Sequence, residues 1–113
     1  MKTVTLSVSS VEETKSQMAA AFRGKRHGAH ISFASIELLW KVLTLKRWEL
    51  LKAMTGQGEM SIREAARQVE RDVKAVHGDV QALLKAGVLE RTADGHIVFP
   101  YDAVHVDFTL RVA

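Results

Sequence analysis

The chain of 113 residues has no cysteine, a single proline and few aromatic side chains. Without thiols there is no disulfide framework, no thiolate nucleophile and none of the Cys-rich structural zinc sites. Its apolar stretches are broken by charge within about ten residues, well short of the roughly 20 that a membrane-spanning helix needs. The first eight residues alternate polar and apolar instead of building an apolar run behind Lys2, so a secretory signal is not expected and a cytoplasmic setting fits. What is present, 47% hydrophobic and 26% charged residues, is the composition of one compact domain with a small appendage. A chain this short buries only about two-thirds of the surface it exposes when unfolded, which makes a homodimer the default expectation.

Charge is unevenly placed. Between residues 22 and 52 seven basic side chains, Arg23, Lys25, Arg26, Lys41, Lys46, Arg47 and Lys52, stand against Glu37 and Glu49. From 92 onward Arg111 stands against Asp94, Asp102 and Asp107. A basic face toward a polyanion and an acidic end turned away would produce this asymmetry, and so, more commonly, would a solvated charged surface.

Val4, Leu6 and Val8 alternate with Thr3, Thr5 and Ser7, the period of a half-buried strand. Ser10 and Glu13 form a capping box for a helix to about Arg23, a basic Gly-punctuated loop follows, and His30 to Ala34 reads as a short strand. Beyond Ser35 the spacing turns helical through Ile36, Leu39, Trp40 and Leu43, then Trp48, Leu51 and Met54 after Thr44 as N-cap, with both tryptophans read as core anchors. Ser61 with Glu64 caps a short helix over 61–69, and Asp72 caps a longer one ending at Lys85 before Gly87. A hairpin is expected from Val88 through the Asp94-Gly95 turn to Phe99, and a final strand from Val104 to Val112, with Val4–Val8 as its candidate partner in the same chain or another.

A helix over 45–55, a short helix over 61–69, a helix over 72–85 and then a hairpin is the order of a winged helix-turn-helix, whose third helix enters the major groove. The expected fold is therefore α+β. A winged helix-turn-helix domain with a C-terminal strand occupies residues 35–113, preceded over 1–34 by a strand-helix-strand extension for dimerisation or partner docking. The runs Ser61-Ile62-Arg63-Glu64-Ala65-Ala66-Arg67, Arg71-Asp72-Val73-Lys74-Ala75-Val76-His77-Gly78-Asp79-Val80 and Leu83-Leu84-Lys85-Ala86-Gly87-Val88-Leu89 resemble small MarR-like winged-helix transcriptional regulators of prokaryotes. The resemblance covers about residues 35 to 102. It is similar, through Phe99-Pro100-Tyr101, to short DNA-binding proteins some of which look like antitoxins. It implies a sequence-specific, autoregulatory repressor with a toxin-like partner. One departure is the turn Val69-Glu70-Arg71-Asp72, where many helix-turn-helix proteins place Gly, and where Glu70 brings negative charge toward the groove.

At 100° per residue, Val73, Val76, Val80, Leu83 and Leu84 form the inner side of the third helix, and Lys74, Ala75, Gly78, Ala82 and Lys85, with Gln81 at the border, the outer side. Lys74 and Gln81 are the expected base-edge readers, with Ala75 and Gly78 giving close approach. Gly inside a helix costs roughly 1 kcal/mol relative to Ala, so Gly78 calls for a groove against it or a tight contact with the N-terminal segment. Arg71, Ser61, Arg63, Lys46, Arg47, Arg91 and His96 are the candidate phosphate contacts. His77 reads as packed or half-exposed.

Catalysis is not expected. His77 with Asp79 and His105 with Asp107 are close His–carboxylate pairs that read as ordinary polar faces, no phosphate loop or Ser motif is present, and no metal or cofactor is called for. The rival to DNA binding is a protein-interaction module that takes a partner on its terminal segments by strand addition.

Overall fold

The computed structural model describes residues 2–8 and 29–109. The helix expected between Ser10 and Arg23, the basic loop that follows and the end of the final strand, 110–113, lie outside the described residues. Among those residues the chain is an α+β fold of four helices, a three-stranded sheet and a two-stranded hairpin. The order is β1 (Thr3–Val8), β2 (Ala29–Phe33), α1 (Ile36–Val42), α2 (Leu45–Met54), α3 (Ile62–Gln68), α4 (Val73–Lys85), β3 (Glu90–Arg91), β4 (Ile97–Val98) and β5 (Ala103–Asp107).

Each helix starts at a side-chain cap that satisfies one of its orphan amides. Ser35 accepts from Leu38 N, Thr44 from Arg47 N, Ser61 from Glu64 N and Asp72 from Lys74 N. The box at Ser61 is one-sided: the Glu64 carboxylate turns down its own helix to Arg67 and Gln68. Helix ends are equally legible. At α4, Gly87 N bonds Leu84 O and Val88 N bonds Leu83 O with Gly87 at φ 79°, the paired 5→2 and 6→1 bonds of a Schellman motif. At α3 the same motif forms with Glu70 N on Arg67 O and Arg71 N on Ala66 O, and the left-handed position is occupied by Glu70 at φ 54°.

β1 lies at the centre of a parallel sheet ordered β2-β1-β5, with Leu6 opposite Ile31 on one side and Val106 on the other. The expected pairing of the first and last strands is thus made within the chain. Asp102 N donates to Lys2 O at 2.7 Å and Lys2 N to the Asp102 carboxylate at 2.9 Å, fixing where the pairing begins. Val4 and Leu6 are fully buried and belong to one apolar cluster with Leu39, Leu50, Met54, Val76, Val80, Leu83, Ile97 and Phe99, so the terminal strands and the helices share a core.

Three local expectations change. Val88 and Leu89 do not open the hairpin: their amides are held by Leu83 O, they plug the core, and pairing starts at Glu90 opposite Val98. Met60 joins the hairpin as an additional bridge, exchanging both backbone bonds with Ile97 at 2.9 and 2.8 Å. Trp40 is not a core anchor but 53% exposed, standing edge-on to Phe108 at 5.6 Å, whereas Trp48 packs against the core. No helix among the described residues is long and apolar enough to cross a membrane.

Candidate nucleic-acid interface

α4 is oriented by its inner side. Val76, Val80 and Leu83 are wholly buried against α3 and the rest of the core, while Val73, at the first turn, is exposed. The outer side is open: Lys74, Ala75, His77, Gly78, Gln81 and Lys85 are all exposed. A Cβ built on Gly78 would meet no described heavy atom within 4 Å, so among the described residues no tight contact explains this glycine. The face therefore offers amine and amide donors around a flat, small-residue strip, with Asp72 occupied as cap.

The basic residues divide into two sets. Lys46, Arg63 and Arg91 are exposed, at the starts of α2 and α3 and on the hairpin. Arg47 and Arg71, expected on phosphate, instead converge on Asp79 of α4. Arg47 Nε donates to Oδ1 at 3.0 Å and Arg71 Nη2 stands 2.8 Å from Oδ2. Side-chain exposures of 21%, 18% and 15% for Arg47, Arg71 and Asp79 mark this as a largely enclosed triad. Arg47 Nη1 also donates to the carbonyls of Val42 at 3.0 Å and Lys41 at 3.3 Å, so the group ties the end of α1, the start of α2, the turn before α4 and α4 itself. The Arg71 contact is an ion pair without hydrogen-bond alignment: Arg71 Nη1 and Asp79 Oδ2 are buried with no aligned partner among the described residues. Nothing in the spacing announces the triad, because Arg47 and Asp79 lie 32 residues apart and an acid on a helix is ordinarily read as solvated.

Ser61 spends its hydroxyl on the α3 cap, and His96 on the hairpin lies 3.3 Å from the Glu59 carboxylate through Nδ1. Glu70 is exposed in the turn between α3 and α4 and adds a negative charge beside the face.

The parallel sheet brings together a pair that sequence spacing does not announce. Ser7 Oγ lies 2.6 Å from His30 Nε2, but no carboxylate stands on the other ring nitrogen among the described residues, and Ser7 is buried. Such a contact satisfies a buried hydroxyl; it lacks the orienting acid that a Ser–His nucleophile uses. Among the described residues no group of three or more His, Asp or Glu side chains is placed to hold a metal ion.

No curated protein and no solved structure matches the chain. The sequence profile of the HVO_A0114 family matches residues 42–106, from the last residue of α1 into β5 and so across the three helices and the hairpin that frame this face. That stretch is more than half of the chain, which therefore belongs to the HVO_A0114 family.

Proposed function

We propose that this protein binds double-stranded DNA sequence-specifically, as a small dimeric and autoregulatory repressor of winged helix-turn-helix type without enzymatic activity. The observation that carries the reading is the outer side of α4. It is a helix braced on α3 through a tight turn, with its apolar stripe sealed in the core and an exposed strip of Lys74, Ala75, Gly78 and Gln81. A recognition helix needs this division, because the groove admits the helix only where the side chains are short and reads bases only where donors flank them. The hairpin supports the reading as the wing: it follows α4 directly, and a single bridge from Met60 to Ile97 ties it to the residue just before the α3 cap.

On this reading the contact set is narrower than the basic residues alone suggest. Lys74 and Gln81 read base edges, and the exposed Lys46, Arg63 and Arg91 contact phosphates, while Arg47 and Arg71 serve the triad that seats α4. Selection of bound fragments from the protein's own upstream region, with a salt titration, tests the proposal. Two-fold symmetric sites are expected, with Lys74→Ala losing roughly 1 to 3 kcal/mol on the selected site and less on random DNA. A loss equal on all sequences would reassign Lys74 to phosphate, and no binding at low salt would remove DNA altogether.

A second reading, docking of a toxin-like protein on the terminal segments, is favoured by one observation. Trp40, Leu45, Trp48 and Phe108 border an apolar hollow of about 450 Å³ beside the end of β5.

A further inference from the structure

β1 is paired on both sides, but among the described residues the outer edge of β5 has no strand beside it. An open edge is a template for another chain, and proteins that must keep it unpaired usually place like charges, lysine above all, along it. β5 carries the opposite arrangement. His105 and Asp107, both exposed, alternate with Val104 and Val106, and the 40% exposed Phe108 follows immediately past the strand's end.

We propose that the outer edge of β5 pairs antiparallel with β5 of a second copy, about a two-fold axis at Val106, joining the two sheets into one of six described strands. The sequence of the edge is self-complementary in this register. Val106 faces its own counterpart, Val104 faces Phe108 of the second copy and the reverse, and each His105 faces the other copy's Asp107. Period-two alternation puts all the apolar pairs on one face and both imidazole–carboxylate pairs on the other. Moving the axis by one residue to either side breaks this match. About His105, Asp107 lies opposite Ala103 and Val104 opposite Val106, with His105 against itself; about Asp107, two carboxylates face each other. Isologous pairing of this kind buries the same patch on both copies, and an antiparallel strand at the edge of a parallel sheet is common. The pairing supplies the symmetry that the DNA reading uses but does not rest on it.

Sedimentation of the full chain without DNA, at neutral pH and from 1 to 100 µM, tests the edge. The wild type is expected to sediment as a dimer within this range. His105→Asp, which sets carboxylates against carboxylates twice, should weaken the dimer about tenfold or more. Adding Asp107→Lys in that background sets an ammonium opposite each carboxylate and should return the dimer to within about threefold of wild type. Both positions are exposed, and the thermal midpoint of each variant, followed by circular dichroism, checks that the fold is unchanged. A wild type that stays monomeric at 100 µM, a dimer indifferent to His105→Asp, or a double variant no tighter than the single one would each overturn the proposal. Loss of the dimer with DNA binding intact would leave the α4 reading standing, and a dimer without DNA binding would leave the edge standing.

Discussion

Asp79 holds two guanidiniums that arrive from different parts of the chain, and its removal leaves both charges largely enclosed without a counterion. Breaking a buried pair by deleting one partner costs roughly 3 to 5 kcal/mol, and somewhat less where the side chains keep some water. Asp79→Ala is therefore expected to lower the unfolding free energy by about 2 to 3 kcal/mol, more than Arg71→Ala, in urea titrations; a change within about 0.5 kcal/mol would mean the triad is solvated in solution. Glu70 makes the opposite case. A side chain in the left-handed region costs roughly 1 to 2 kcal/mol, partly offset in a glycine variant by the extra entropy of the unfolded chain. Glu70→Gly should raise stability by about 0.5 to 1 kcal/mol, read as a higher thermal midpoint, unless a contact of the carboxylate repays the strain.

On the proposed reading, α4 would couple stability and DNA binding in opposite senses at one position. Gly78 lies in its interior with open space where a Cβ would go, so Gly78→Ala should stabilise the fold by roughly 1 kcal/mol. If the same strip enters a groove, the added methyl should weaken binding to the selected DNA site. Thermal melts and DNA titrations on the one variant separate the two effects, and a more stable protein with undiminished affinity would take Gly78 off the interface. The helix ends were the most readable elements: Thr44, Ser61 and Asp72 as caps and Gly87 as stop are local hydrogen-bond chemistry, which spacing alone reveals. The hairpin was less so. Val88 and Leu89 have strand-forming side chains, yet the Schellman bonds at the end of α4 claim their amides first.

Among the described residues β1 is the centre of the three-stranded sheet, and its Leu6 belongs to the same apolar cluster as the helices. Leu6→Ala should cost about 2 to 5 kcal/mol and lower the transition of sheet and helices together. Coincident unfolding by tryptophan fluorescence and by far-ultraviolet circular dichroism checks this, because Trp40 and Trp48 report on α1 and α2 whereas the deletion is in the sheet. Two separated transitions would show that the terminal strands and the helical part fold independently.

Periodicity and capping determined by themselves that there are α1 through α4, a hairpin and flanking strands, because each depends on side chains within one or two turns of one another. They also marked the inner side of α4 at Val76, Val80 and Leu83, since burial follows the 3.6-residue repeat, but not at Val73, which is exposed. Only the tertiary structure decided that Arg47 and Arg71 meet on Asp79, that Met60 bridges to the hairpin, that Trp40 faces outward and that β5 pairs with β1 of its own chain, its far edge open among the described residues. Those outcomes join residues tens of positions apart, and such partners are chosen by the packing of the whole chain, which leaves no periodic trace in the sequence.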